Sequence, residues 1–86
     1  MIKFIHHPFY QERIMYCYRR LKDLREDNDK SQQEIAKILD TTQQQYALYE
    51  TGKREIPLHH IITLAKFYNV SLDYLTGLVQ TPKPLY

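Results

Sequence analysis

The residues best suited to molecular recognition share one short stretch, in which a threonine is followed by glutamines. Thr42, Gln43 and Gln44 begin a predicted helix, and Ala47 and Leu48 lie one turn further along its outer face. A glutamine amide can bond an adenine edge through both its oxygen and its nitrogen, and methyl groups can contact a thymine methyl. The face carries no charge, which is unusual for a solvated helix. The glutamines alone are weak evidence, but at the start of the second helix of a helix-turn-helix, where base-contacting residues lie, they indicate reading of DNA bases. The alternative is a neutral surface made of good helix formers.

Other residue types that support chemistry give weaker patterns. His6-His7 and His59-His60 are adjacent pairs, and neighbours on a helix point about 100° apart, so neither pair chelates a metal alone. The one cysteine, Cys17, falls among apolar positions and is expected to fill core space. No nucleophile–base–acid set, glycine-rich phosphate loop or pair of carboxylates can be assembled from the sequence. We therefore expect no metal, no cofactor and no enzymatic activity.

Two short helices joined by a tight turn are predicted to position the glutamine face. Ser31, with a glutamate three residues later, forms a capping box that predicts a helix over residues 32–39. Thr42 can cap a second helix over residues 43–51, which Gly52 ends. Two helices with so short a turn between them are typical of a helix-turn-helix.

Three further helices complete the predicted fold. The first covers residues 11–26, Pro57 suits the first turn of the fourth, and Ser71 and Gly77 bracket a short last helix. Sustained strand-like alternation and hairpin dipeptides are absent from the sequence. The sequence therefore predicts an all-α, compact five-helix domain with the helix-turn-helix at helices 2 and 3. The predicted apolar-face positions are Ile14, Cys17, Leu21, Leu24, Ile35, Ala36, Leu39, Tyr46, Tyr49, Leu58, Ile61, Leu64, Ala65, Tyr68, Leu72 and Leu75.

Length and composition fit one small domain. The chain has 86 residues, of which 43% are hydrophobic and 26% charged, which is ordinary for a globular protein. This length is too short for a Rossmann fold, a TIM barrel or an enzyme with a deep two-domain cleft. We expect an amino-terminal arm over residues 1–10, the helix-turn-helix domain over residues 11–77 and a tail over residues 78–86.

The charge of the chain is mildly basic and clustered. Its formal net charge is +2 and its pI is near 8.7. The clustered cations are Arg13, Arg19, Arg20, Lys22, Arg25, Lys53 and Arg54. Such clusters suit a phosphate backbone, and a solvated helix face is the alternative. Since the sequence holds no bilayer-spanning stretch, signal peptide or cysteine pair, we expect a cytoplasmic protein without a membrane partner.

Short motifs follow one another through most of the chain. They are Leu21-x-x-Leu24-Arg25, Ser31-Gln32-x-x-Ile35-Ala36, Tyr49-Glu50-x-Gly52-Lys53-Arg54-x-x-Pro57, Leu64-Ala65 and Val70-Ser71-Leu72-Asp73-Tyr74-Leu75. In this order and spacing the sequence resembles the helix-turn-helix domain of lambdoid phage repressors and Cro-like (XRE-type) bacterial regulators. The stretch from Asp40 to Gln44 is especially similar to phage repressors that read operators with paired glutamines. The resemblance implies a phage-repressor-like DNA-binding fold whose third helix enters the major groove.

The resemblance also assigns roles to individual residues. It implies that DNA bases are contacted by Thr42, Gln43, Gln44, Ala47 and Leu48. It implies that the DNA backbone is contacted by Gln32, Gln45, Thr51, Lys53 and Arg54. Some relatives carry a polar base reader where this chain has Leu48, so only a methyl contact is expected there. Arg25 and Glu50 match an ion pair that joins the first helix to the third, and we expect Glu50 to be architectural rather than a catalytic acid.

The function implied by the resemblance is sequence-specific transcription regulation. We expect a repressor, bacterial or phage-encoded and nucleoid-associated, that binds a palindromic double-stranded DNA operator as a homodimer. One alternative is an antitoxin that regulates its own promoter and binds a toxin through its apolar arm or tail. Another is a protein-interaction adaptor on the same scaffold. The protein partner would then be a toxin or an antirepressor.

Overall fold

The structure, a computed structural model, describes residues 18–82 of the chain. Its helices are α1 (Arg19–Asp27), α2 (Gln32–Ile38), α3 (Gln43–Thr51), α4 (Leu58–Tyr68) and α5 (Leu72–Thr76). The predicted five-helix, all-α fold is confirmed for this part of the chain, with α2 packed against α3. Predictions made for residues 1–17 and 83–86, including the arm and Cys17, lie outside the described residues. No helix within residues 18–82 is long and apolar enough to cross a membrane.

Local side-chain chemistry sets most of the helix ends. The capping box at α2 is present: Ser31 Oγ accepts a hydrogen bond from the Glu34 N–H at 3.0 Å, and the Glu34 carboxylate accepts one from the Ser31 N–H at 2.8 Å. Thr42 and Ser71 cap α3 and α5 in the predicted way, each accepting a backbone N–H. Gly52 ends α3 with a left-handed φ of 80°, a conformation that costs glycine little.

Three predicted helix boundaries need correction. Tyr18 is extended (φ −102°, ψ 98°), so a continuous helix over residues 11–26 is wrong and α1 begins only after this residue. Pro57 is the N-cap of α4 instead of its first turn, because its ψ of 150° is extended. Leu39 is the C-cap of α2, so α2 ends one residue earlier than predicted.

The core lies where α1, α3, α4 and α5 meet, with α2 closing it beside α3. Its aromatic centre is Tyr46, which is fully buried and packs edge-to-face on Tyr49 with ring centroids 6.4 Å apart. The prediction that Leu58 shares this core is wrong. Leu58 is 64% exposed because it lies in the first turn of α4, before the buried part of the helix begins at Ile61. The buried apolar residues are Leu21, Ile35, Ala36, Leu39, Tyr46, Tyr49, Ile56, Ile61, Leu64, Ala65, Val70 and Leu75.

The turn between α2 and α3 depends on a left-handed aspartate. Asp40 has a φ of 59°, and its N–H donates to the Lys37 carbonyl at 3.1 Å. The next N–H, of Thr41, donates to the Ala36 carbonyl at 2.9 Å. These bonds stop α2 and turn the chain toward the N-cap of α3. The turn thereby fixes the direction in which α3 leaves α2.

Arg20 joins the first helix to the chain that follows the last one. Its guanidinium donates to the carbonyls of Tyr74 and Val79, both at 2.7 Å, and to the Gln80 side chain at 3.1 Å. The same group lies 4.0 Å from the centre of the Tyr74 ring, a cation–π contact. Arg20 therefore belongs to the fold, which corrects the interpretation of this cation as one of a cluster facing phosphate.

Candidate nucleic-acid interface

The first turn of α3 carries the polar side chains of the candidate interface. Thr42, Gln43 and Gln44 are exposed, whereas Ala47 and Leu48 are half-buried. The opposite side of α3 is buried in the core, so the helix is anchored along its length while its beginning projects. The cap uses the Thr42 hydroxyl as an acceptor and leaves its methyl group for an apolar contact. The exposed part is uncharged and rich in amide groups, which suits hydrogen bonding to base edges.

An open depression of about 520 Å³ lies between the beginnings of α2 and α3. Gln43 and Gln44 line it from α3, and Gln33 and Lys37 line it from α2. Gln33 and Lys37 were not among the predicted site residues. Their i, i+4 spacing on the exposed side of α2 is the signal that would have identified them. Both helices of the motif thus present polar side chains on one surface.

A chain of hydrogen bonds connects this surface to the interior. Gln43 Nε2 donates to Gln32 Oε1 at 3.4 Å, and Gln32 Nε2 donates to Glu50 Oε1 at 3.0 Å. Gln32 is half-buried, and Glu50 is only 9% exposed. The amide of Gln32 is therefore held in one orientation by a buried carboxylate. Its oxygen is in turn presented to Gln43 on the neighbouring helix.

Glu50 lies at the centre of the polar network. Arg25 donates to both of its oxygens, from Nε at 2.6 Å and from a terminal nitrogen at 3.2 Å. The Tyr46 hydroxyl donates to it at 2.7 Å. A second terminal nitrogen of Arg25 donates to the Lys30 carbonyl at 2.9 Å, so the guanidinium also holds the loop before α2. This two-pronged ion pair ties α1 to α3.

Ionisation of the Glu50 network follows from these contacts. Burial raises the pKa of Glu50, but hydrogen bonds from Arg25, Tyr46 and Gln32 outweigh it and hold the pKa below its ordinary value. The hydrogen bond to Glu50 raises the pKa of Arg25, despite burial. Burial, then the hydrogen bond to Glu50, raises the pKa of Tyr46 far above its usual range. Glu50 is thus a stable carboxylate and a poor proton donor at neutral pH.

Two of the residues expected at the DNA backbone are bonded within α3. Gln45 is half-buried, and its Nε2 donates to the Tyr49 hydroxyl at 3.1 Å. Thr51 is exposed, and its hydroxyl donates to the Ala47 carbonyl at 3.1 Å. The Tyr49 ring also contacts the His60 ring, with centroids 5.9 Å apart. Gln45 is therefore linked through Tyr49 to the beginning of α4.

The two cations after α3 are exposed on a fixed loop. The backbone N–H groups of Lys53 and Arg54 donate to the Leu48 carbonyl at 3.0 and 3.2 Å. These bonds follow the left-handed Gly52 and close the end of the helix. Both side chains are exposed, and the loop that carries them is held against α3. The arrangement places positive charge one helix length away from the exposed glutamines.

Comparison with known proteins places this geometry in a family. A family model described as helix-turn-helix matches residues 21–75. An uncharacterized HTH-type transcriptional regulator of Bacillus subtilis (strain 168), YobD, is 34% identical over 70 residues, which are 81% of this chain and 62% of that protein. The SPbeta prophage-derived uncharacterized HTH-type transcriptional regulator YonR, from the same strain, is 41% identical over 56 residues, 65% of this chain and 52% of that protein.

The present chain therefore spans less than two thirds of the length of either of these relatives. No solved structure matches it significantly. The family match extends from Leu21 in α1 to Leu75 in α5 and includes the whole of the α2–turn–α3 unit and of α4.

Proposed function

Because the chain belongs to the helix-turn-helix family, we propose that it is a sequence-specific DNA-binding transcriptional regulator that acts as a repressor. It binds a two-fold symmetric operator as a dimer, and each copy places α3 in the major groove. The half-sites then lie about 34 Å apart, one turn of DNA. This family membership also identifies the chain as a non-enzyme.

The observation that carries this proposal is the exposed, uncharged beginning of α3. Gln43 and Gln44 lie at the end of the helix that enters the groove in this motif. Their amides match the donor–acceptor pair of adenine, and the methyl groups of Thr42, Ala47 and Leu48 suit thymine. The bonded chain from Gln43 through Gln32 supports base recognition by limiting the orientations of the first glutamine.

Lys53, Arg54, Gln32, Gln45 and Thr51 contact the phosphate backbone in this proposal. The two cations supply the electrostatic attraction, and the polar side chains fix the register of the protein on the duplex. Gln45 keeps its bond to Tyr49 and donates its second amide hydrogen to a phosphate oxygen. Thr51 has a single hydroxyl hydrogen, so it exchanges its bond to the Ala47 carbonyl for one to a phosphate oxygen. Gln33 and Lys37 extend the same surface along α2.

The proposal is tested by selecting bound sequences from a random DNA pool at near-physiological salt. We expect enrichment of a two-fold symmetric site that is rich in A·T pairs where the glutamines bind. Combining Gln43→Ala with Gln44→Ala removes the enrichment, since each lost bidentate contact costs about 1–3 kcal/mol of discrimination. Thr63→Ala, an exposed position on α4, is the matched control and keeps it.

Circular dichroism and thermal melting establish that each variant is folded before selection. Enrichment that survives the double substitution would show that α3 does not read the bases. Absence of any enriched site from folded wild-type protein would overturn the DNA-binding proposal and favour a protein partner.

A further inference from the structure

Two histidines in the first turn of α4 lie against each other. The rings of His59 and His60, which we name the α4 histidine pair, have centroids 4.2 Å apart and planes tilted by 48°. His59 is exposed, whereas His60 is half-buried. Within residues 18–82 neither imidazole forms an ion pair with a carboxylate. The fold thus gives this titratable pair no negative charge to hold a proton.

The α4 histidine pair adjoins the proposed contacts with the DNA backbone. The His60 ring contacts the Tyr49 ring, with centroids 5.9 Å apart, and the Tyr49 hydroxyl accepts a hydrogen bond from Gln45 Nε2 at 3.1 Å. The exposed loop that carries Lys53 and Arg54 leads into α4. The pair is therefore joined by packing to one proposed phosphate contact and by a short stretch of chain to two others.

Protonation of the α4 histidine pair is opposed in the free protein. Burial, and then the neighbouring His59, lowers the pKa of His60, so this imidazole is neutral at pH 7. Two protonated rings this close would repel each other, so the pair takes up one proton more readily than two. The titratable side chains in ring contact with His60 are His59 and Tyr49. The charged side chains on α3, on the loop before α4, further along α4 and on α5 are Glu50, Lys53, Arg54, Glu55, Lys66 and Asp73.

A phosphate group would supply the missing negative charge. An opposite charge within about 4–6 Å favours the protonated form of an imidazole. Both nitrogens of a protonated imidazole donate hydrogen bonds, which suits a phosphate oxygen, whereas the neutral ring has one donor and one acceptor. The formal net charge of the chain is only +2 with its histidines neutral, so one added proton raises it by half. Protonation of this pair would therefore strengthen the attraction to DNA appreciably.

We propose that the α4 histidine pair is a proton-dependent contact with the DNA backbone, in which His59 donates a hydrogen bond to a phosphate oxygen. The pair takes one proton from solvent when DNA binds and returns it when DNA leaves. Because the contact is with phosphate, it acts on every DNA sequence. The inference rests on the proposed function, since it requires a duplex beside the beginning of α4.

Fluorescence anisotropy with a labelled random-sequence DNA duplex at pH 8.0 and pH 6.0 tests the contact. We expect the affinity of the wild type to be at least about fivefold higher at pH 6.0, because an opposite charge favours the protonated imidazole by about tenfold. The dependence of log K on log salt should also be steeper by about 0.9 at pH 6.0, since one more phosphate is neutralised. Combining His59→Gln with His60→Gln should remove both changes.

His6→Gln with His7→Gln is the matched control, because His6-His7 is the other adjacent histidine pair in the sequence. This control should keep both changes. His59→Lys places a permanent charge at the exposed position, so it should bind at pH 8.0 about as tightly as the wild type does at pH 6.0. Circular dichroism at both pH values establishes that each variant is folded.

The outcomes separate this contact from DNA binding itself. Equal affinities of the wild type at the two pH values would overturn the contact and leave the DNA-binding proposal in place. A higher affinity at pH 6.0 with an unchanged salt dependence, or an equal loss in the His6→Gln/His7→Gln control, would do the same. Absence of binding by folded wild-type protein at both pH values would overturn both proposals.

Discussion

At the scale of single residues, a buried carboxylate links the fold to the candidate interface. Glu50 accepts hydrogen bonds from Arg25, Tyr46 and Gln32, and Gln32 in turn accepts from Gln43. Removing one partner from a buried ion pair leaves the other charge without compensation, which is far more costly than losing a surface pair. The same residue that ties α1 to α3 therefore also steadies the side chain next to the proposed base readers.

Glu50→Ala should destabilise the protein more than it alters the choice of DNA sequence. We expect a loss of about 3–5 kcal/mol in the free energy of unfolding, because Arg25 and Tyr46 keep buried polar groups without their acceptor. Glu50→Gln keeps the shape and should be milder. Urea denaturation measures both. Glu26→Ala is the control, since Glu26 is exposed and 4.0 Å from Arg25, and it should cost under about 1 kcal/mol. An unchanged melting temperature for Glu50→Ala would refute an architectural role.

Lys53→Ala should weaken DNA binding equally on all sequences. If Lys53 neutralises one phosphate, its removal lowers the slope of log K against log salt by about 0.9. Fluorescence anisotropy over a series of salt concentrations gives this slope for selected and random duplexes. Lys66→Ala, an exposed lysine on α4, is the matched control and should leave the slope unchanged. A loss confined to the selected site would instead assign Lys53 to base recognition.

At the scale of helices and turns, one aspartate sets the angle of the motif. Asp40 takes the left-handed conformation in the turn between α2 and α3, a region where β-carbon crowding makes most residues unfavourable. The helices on either side are short and each begins at a side-chain cap. The turn therefore controls how α3 is presented more than the length of either helix does.

Substitutions of Asp40 should change the free energy of unfolding in a defined order. We expect Asp40→Gly to be at least as stable as the wild type and Asp40→Ala to be about 1 kcal/mol less stable. Alanine lacks both the freedom of glycine and the local hydrogen-bonding capacity of aspartate. Asp27→Ala, at the end of α1, is the control for removing a carboxylate from an exposed position of ordinary backbone. Urea denaturation measures the effect: a shift in the midpoint at an unchanged dependence of the free energy of unfolding on urea concentration reports a change in stability. Stabilisation by Asp40→Ala would contradict the argument from backbone conformation.

Helix ends could be predicted from the sequence where a local side chain decides them. Ser31, Thr42 and Gly52 each fix a boundary through bonds to residues a few positions away, and α3 has the predicted bounds. The sequence prediction was wrong at Tyr18, whose backbone is extended, and at Leu58, which is exposed in the first turn of α4. Apolar periodicity describes one helix and carries no information about where its neighbours end.

The candidate site also has a part that could be predicted from the sequence and a part that could not. The exposed glutamines follow from helical geometry alone, so their placement on the outer face could be predicted. That Arg20 lies outside the site could not be predicted, because its bonds join residues 54 to 60 positions apart in the chain. A cluster of cations in the sequence does not say which of them the fold will use internally.

At the scale of the whole molecule, acid should lower stability in two steps. Burial, and then the neighbouring His59, lowers the pKa of His60 from its ordinary value of 6.5. The unfolded chain therefore binds this proton more readily, and stability falls as the pH drops through about 6.5. Because the pKa of Glu50 is lower in the folded protein than in the unfolded chain, ionised Glu50 stabilises the fold at pH values above its unfolded pKa. This contribution is lost as the pH falls through the folded pKa.

Urea midpoints at a series of pH values from 8 to below 4 measure this prediction. His60→Gln should flatten the step near pH 6 and leave the lower one, because glutamine does not titrate. Glu50→Gln, if the variant remains folded, should flatten the step at lower pH and leave the step near pH 6. Stability that rises on acidification from pH 8 to 5.5 would contradict the assigned direction for His60.

The Arg20 contacts have a consequence for how the domain opens. These hydrogen bonds join the first helix to the segment after the last one, so the two ends of the described part of the chain are held together. Neither end can then fray independently of the other. Amide hydrogens of α1 and of residues 77–80 should exchange with solvent at similar rates, through one shared opening event. Arg20→Met should make the rates of these two segments differ.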